Sequence, residues 1–178
     1  MSKKGKDFKF KTPIFNNKKM RILGAELVNA IRHVTFNKSN PRMSNDTPFP
    51  AYSDRGAGVG WRTINGKKVF IDSYSNRKKT GRLRRQDSGY KNSKAPVLTG
   101  DLWKDLTHST NPRKNEFSVG WNSHAYKIDH LSNMGREITT KQNPVNPRAI
   151  AKVMPRINQM INKILVSGQQ IITIGKKK

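Results

Sequence analysis

Residues that could carry out a reaction are few in this chain of 178 residues, which has no cysteine and four histidines. His124, Asp129 and His130 lie close together, but a spacing of six puts the two histidines on different faces of a helix, which favours ordinary hydrogen bonding over a metal site. The glycines between Gly56 and Gly60 match a phosphate-binding loop only weakly, because Trp61 stands where a dinucleotide fingerprint needs its third glycine. We therefore expect no catalytic residues, no metal and no cofactor.

The basic residues point instead to a polyanionic partner, since the chain has 36 Lys and Arg against 11 Asp and Glu, a formal net charge of +25. Residues 77–94 carry eight cations with Asp87 as their one acid. We expect a basic loop there that contacts nucleic-acid phosphates or an acidic partner, the alternative being a solvated run of charge. The eight cations are Arg77, Lys78, Lys79, Arg82, Arg84, Arg85, Lys91 and Lys94.

Three segments of the chain precede this loop. Residues 1–18 are lysine-rich without a sustained apolar period, which predicts a basic arm that is flexible until bound, although Phe8 and Phe10 also allow a strand on a neighbouring chain. Residues 19–35 repeat apolar side chains at intervals of three and four, which predicts an amphipathic helix. Residues 36–60 are rich in Pro and Gly and predict a long loop.

The middle of the chain predicts a hairpin and a short helix. Asn65 and Gly66 separate two apolar segments, residues 59–64 and 67–74, as in a type I′ β-hairpin. Farther on, leucines at 98, 102 and 106 predict one face of a helix that begins at the cap Thr99 and ends at residue 107 or 108.

The C-terminal part predicts a strand and two helices. Alternating apolar residues indicate a half-buried strand over residues 117–121, and residues 125–133 suit a short helix that Gly135 ends. A long amphipathic helix should begin at Pro147, bend at Pro155 and end at Gly168. Residues 170–174 then predict a last strand.

These elements predict a single α+β domain over residues 19–175, followed by a basic tail over 176–178. Its mostly antiparallel β-sheet, which includes the hairpin, would be packed by the N- and C-terminal amphipathic helices. No apolar run approaches the ~18 residues that a membrane span requires. We therefore expect no membrane partner.

The order of several short motifs resembles the virion morphogenesis and tail-completion proteins of tailed bacteriophages. That family runs from an N-terminal helix through a Pro-containing loop, here residues 48–53, and a basic stretch to a Leu-Thr-Gly-x-Leu helix. A Val-Gly strand, a helix with a Tyr-Ala pair and a following glycine, and a C-terminal helix come next. The matching positions are Leu98, Thr99, Gly100, Leu102, Val119, Gly120, Tyr126 and Gly135. Here the pair at 125–126 is reversed and the hairpin resembles an insertion.

The resemblance implies a structural virion protein rather than an enzyme. Such a protein would form a homo-oligomeric ring in the neck between portal-side adaptor and tail-side proteins, assembled in the host cytoplasm, with DNA passing through and touching it non-specifically. Charge alone equally suits a basic nucleic-acid-binding protein of ribosomal or nucleoid type. A nuclease or other DNA-acting enzyme is a third hypothesis, disfavoured because no cluster of acids and histidines is present.

Overall fold

The fold combines α-helices with antiparallel strands, in a computed structural model that describes residues 6–11, 15–52, 59–80, 94, 96 and 100–174. The predicted α+β class is confirmed. In chain order the elements are β1 (Lys6–Lys11), α1 (Asn17–Thr35), β2 (Gly60–Ile64), β3 (Lys67–Ile71), α2 (Tyr74–Lys79), α3 (Asp101–Asp105), β4 (Leu106–Asn111), β5 (Glu116–Trp121), α4 (Tyr126–Asn133) and α5 (Pro147–Ile174).

The main sheet has three antiparallel strands in the order β1-β5-β4. In the central strand Phe117, Val119 and Trp121 are buried at every second position, as their alternation predicts. Phe10 of β1 lies opposite Phe117, and the two rings stack with centroids 4.9 Å apart. The Trp121 indole donates a hydrogen bond to the Leu102 carbonyl at 2.9 Å, which ties β5 to α3.

Helix α1 packs on this sheet and on α5. Its buried stripe includes Met20, Leu23, Leu27 and Ile31, which confirms the periodicity of the sequence. A Cβ at Gly24 would lie 2.6 Å from the His108 ring on β4, so the missing side chain allows the close approach of helix and strand. On α5, Ala149, Val153 and Met160 are buried in the same core.

The prediction of a flexible arm over residues 1–18 is wrong for β1 and for the start of α1, which begins at Asn17. Residues 6–11 pair with β5 of the same chain, because the central strand needs a second neighbour to satisfy its outer backbone groups. Residues 1–5 and 12–14 lie outside the described residues.

Three other predictions also need correction. The helix that begins after Gly100 ends at Asp105, and residues 106–111 form β4 because they pair with β5 along their whole length. Helix α5 continues through Ile174, so neither the end at Gly168 nor the strand over 170–174 is correct. The hairpin is confirmed, with φ of 50° at Asn65 and 75° at Gly66, but its second strand ends at Ile71 instead of residue 74, and it forms a separate two-stranded sheet.

Candidate nucleic-acid interface

The basic region predicted to contact phosphates begins on a helix, where the sequence predicted a loop. Helix α2 starts at the cap Ser73, whose hydroxyl accepts a hydrogen bond from the Asn76 backbone N–H at 3.0 Å. The Asp72 carboxylate accepts hydrogen bonds from the Ser73 backbone N–H at 2.8 Å and from the Asn76 side-chain amide. These contacts fix which way the three cations at the end of α2 face.

Lys78 differs from its two basic neighbours. Its side chain has no exposed surface, whereas Lys79 is exposed and Arg77 is partly exposed. The prediction that Lys78 lies on the accessible basic surface is therefore wrong. The spacing of four from Tyr74 puts Lys78 on the side of α2 that packs against the protein.

Lys78 belongs to a group that we call the aromatic–cation cluster, formed by Phe49, Tyr52, Tyr74, Lys78 and Arg136, in which Phe49, Lys78 and Arg136 are buried. The two tyrosine rings meet edge to face, with centroids 4.6 Å apart. The Lys78 Nζ lies 4.9 Å from the centre of the Tyr52 ring, and the Arg136 Cζ lies 3.8 Å from it. Cation–π attraction thus offsets part of the cost of burying two positive charges.

The end of α4 positions Arg136. The Arg136 N–H bonds to the Leu131 carbonyl at 2.9 Å and the Gly135 N–H to the Ser132 carbonyl at 2.9 Å, which is a Schellman motif. Gly135 has the φ of +67° that this motif requires, so the predicted helix stop is confirmed. The motif turns the next side chain back towards the protein, where Arg136 is buried.

Arg136 forms hydrogen bonds to two segments that are distant in sequence. Its guanidinium donates hydrogen bonds to the backbone carbonyls of Pro50 and Lys94. Pro50 belongs to the Pro-containing loop and Lys94 ends the basic stretch, so one side chain holds both to the end of α4. The planar fork of an arginine suits this double contact better than a lysine would.

Burial changes the ionisation of the cluster. Desolvation, followed by the repulsive charge of Arg136, lowers the pKa of Lys78 to about 7. Burial first, and then the neighbouring Tyr52, raise the pKa of Tyr74 to about 12. For Tyr52, burial raises the pKa in spite of the opposing charge of Arg136. Near neutral pH the cluster therefore carries less positive charge than its composition suggests.

The hairpin just before α2 extends the basic surface, and we call residues 60–71 the ribbon. Residues 61–70 are all exposed, including Trp61 at 71% and Phe70 at 50%. Arg62, Lys67 and Lys68 add three cations, and the ribbon contains no acid. Of the other predicted contacts, Lys94 is exposed, whereas Arg82, Arg84, Arg85 and Lys91 lie outside the described residues.

The described motif residues are mostly structural. Leu102, Val119 and Gly120 are buried, and Gly100 begins α3 with a φ of +82°. Tyr126 differs, since it is 56% exposed at the start of α4. Leu98 and the predicted cap Thr99 lie outside the described residues, and Gly100 stands at the cap position.

Two positioning residues were not predicted from the sequence. The Asp105 carboxylate accepts hydrogen bonds from three consecutive backbone N–H groups, at residues 122–124, just before α4. Arg32 of α1 donates to the Trp103 and Leu106 carbonyls at 3.0 and 2.8 Å. Asp105 is the last residue of α3 and Arg32 lies in the last turn of α1, but the partners of both are distant in sequence, so no local pattern indicated these contacts.

Neither a group of metal-binding side chains nor a similar protein indicates what this site does. The described residues contain no group of three or more His, Asp or Glu side chains that could hold a metal ion. Among the described helices, none is long and apolar enough to cross a membrane. Comparison of the sequence and fold with protein-family models, curated proteins and solved structures finds no match.

Proposed function

We propose that this protein is a structural virion protein of a tailed bacteriophage, a subunit of the neck ring that joins the portal or its adaptor to the tail. Within this proposal the ring surrounds the channel through which DNA passes, and the subunit is not an enzyme. The protein acts in the virion after assembly in the host cytoplasm. Its partners are further copies of itself, the neighbouring neck proteins and, by non-specific contact, DNA.

The observation that carries the proposal is the meeting of separate motif positions at Arg136. The Pro-containing loop, the end of the basic stretch and the residue after the α4 glycine lie far apart in sequence, yet Arg136 bonds to both other segments. If these motifs pack together into one structural unit, that contact is a physical reason for the chain to have the same order of motifs as the family it resembles. The cluster provides such a reason without any catalytic group.

The charge supports the same proposal. Arg77, Lys79 and the three ribbon cations give the region from β2 to α2 an accessible positive surface. Lysine and arginine neutralise DNA phosphates without reading sequence, as a channel wall requires. A basic protein of ribosomal or nucleoid type would share this surface, so the discriminating property is self-assembly.

Light scattering on the purified protein distinguishes these two functions. The protein is treated with nuclease and its mass is measured over a range of concentrations and salt. A neck subunit should give one closed oligomer of fixed mass that persists without nucleic acid. A protein that stays monomeric at every concentration, and gains mass only when DNA is added, contradicts the proposal.

A further inference from the structure

The ribbon exposes large apolar side chains on a sheet that has no core of its own. In an antiparallel pair, directly opposite residues share a face. One face therefore carries Trp61, Thr63, Lys68 and Phe70, and the other carries Arg62, Ile64, Lys67 and Val69. The Trp61 and Phe70 rings contact each other with centroids 5.5 Å apart.

A two-stranded hairpin is only marginally stable in water by itself. Exposed aromatic side chains on such an element mark a surface that another molecule covers. Trp61 at 71% and Phe70 at 50% exposure are the largest apolar groups of the ribbon, and they share one face. That face, with Lys68 beside it, is the stronger candidate for docking.

Duplex DNA fits this face poorly. Its phosphates would attract Lys68, but its bases are stacked inside the helix and offer no apolar surface to Trp61 and Phe70. A protein surface that combines exposed apolar groups with negative charge satisfies both kinds of side chain. The partner chemistry is therefore apolar and acidic.

The chain itself carries exposed apolar side chains on α4 and one acid just after the helix. Tyr126, His130 and Met134 recur at intervals of four and are exposed, Tyr126 at 56% and Met134 at 43%. Glu137 follows them, exposed and without an ion pair among the described residues. Asp46 and Asp101, in contrast, form ion pairs within the chain.

We propose that the Trp61–Phe70 face of the ribbon of one copy docks on the Tyr126–Met134 side of α4 of a second copy, with Lys68 beside Glu137. The strand of five residues spans about 17 Å, long enough to cover the eight-residue helix, which spans about 12 Å. Two different surfaces form the contact, which is what a ring of identical subunits requires. The inference rests on the proposed function for self-assembly and adds the surfaces that perform it.

Charge reversal on the ribbon offers a matched control. Lys68→Glu changes the docking face, whereas Lys67→Glu makes the same change at the next residue on the opposite face. Glu137→Lys reverses the charge of the residue proposed to lie beside Lys68. The double variant Lys68→Glu with Glu137→Lys restores opposite charges at the two positions. Trp61→Ala tests the apolar contact. The association constant is measured by analytical ultracentrifugation of nuclease-treated protein, with thermal melting to confirm that each variant folds.

We expect Trp61→Ala, Lys68→Glu and Glu137→Lys each to weaken association about tenfold or more, as truncation or charge reversal at an interface centre does. Lys67→Glu should associate like the wild type, and the double variant should regain most of the affinity. The inference would be overturned if Lys67→Glu and Lys68→Glu had equal effects, or if Trp61→Ala associated as fully as the wild type. In either case the proposed function would still stand, provided that the wild type self-assembles. Loss of DNA binding by Trp61→Ala with association unchanged would overturn the inference too. A wild type that never associates overturns both.

Discussion

Gly24 sets the distance between α1 and the sheet. An alanine Cβ there would lie 2.6 Å from the His108 ring, closer than real contacts allow. We predict that Gly24→Ala lowers the free energy of unfolding by about 1–3 kcal/mol, as overpacking typically does. Urea denaturation measures the change.

His108→Ala supplies the control for that prediction. Without the ring, Gly24→Ala should be neutral or stabilise by up to about 1 kcal/mol, because alanine is the better helix former. If Gly24→Ala costs the same in both backgrounds, the close contact with His108 is not what requires glycine.

Lys78 should make stability depend on pH. Its pKa is lowered to about 7 in the folded protein, whereas an unfolded lysine titrates near ~10.4. The unfolded state therefore binds more protons between these values, and the free energy of unfolding should rise as pH increases from about 7 towards 10. Below pH 7 the full cost of burying the charge remains.

Lys78→Met should flatten this rise, since it removes the titrating group, whereas the exposed neighbour Lys79→Met should leave the slope unchanged. Chemical denaturation at a series of pH values below 10 measures both variants. The upper limit avoids Tyr52 and Tyr74, whose raised pKa values make stability fall above pH 10. Equal slopes for wild type and Lys78→Met would show that Lys78 is not buried as described.

At the scale of the element, β1 covers one side of the central strand β5. The strand pairs with β5, and Phe10 stacks on the buried Phe117. Removal of residues 1–11 should therefore destabilise the protein and promote aggregation, because it turns the central strand β5 into an edge strand. Removal of residues 1–5 is the control and should leave the unfolding midpoint unchanged. Equal midpoints for the two truncations would contradict the pairing of β1.

Elements that have a periodic pattern of their own were predicted from the sequence. Elements whose conformation depends on pairing with another strand were missed. Helix α1, the hairpin, β5 and α4 follow from local patterns, and the structure confirms them. Strand β4 was missed because leucines at intervals of four suggested a helix, whereas the pairing with β5 decides its conformation. The N-terminal strand was considered only as a strand on a neighbouring chain, whereas residues 6–11 pair with β5 of the same chain.

The candidate site was predictable only in part. Gly135 was identified as a helix stop, but only the Schellman turn shows that the next residue points inward. The inward position of Lys78 depends on Tyr52 and Arg136, which are remote in sequence. Local composition therefore located the basic region without telling which of its cations reach solvent.

For the whole molecule, the net charge of +25 predicts DNA binding that weakens with salt. The triple variant Arg77→Gln, Lys79→Gln and Lys94→Gln should reduce the slope of log affinity against log salt by about 0.9 for each phosphate that the variant no longer neutralises. Lys78→Met removes one basic side chain from the same region and should not change the slope, because Lys78 is buried. Fluorescence anisotropy with a labelled duplex measures both. An unchanged slope for the triple variant would exclude these three cations from the DNA contact.

The central claim is that copies of this chain close into a ring around DNA, and electron microscopy of nuclease-treated protein tests it most directly. We predict class averages of a closed ring with rotational symmetry and an open centre, present in the absence of nucleic acid. Isolated monomers, or assemblies that form only along added DNA and disappear with nuclease, would contradict the account.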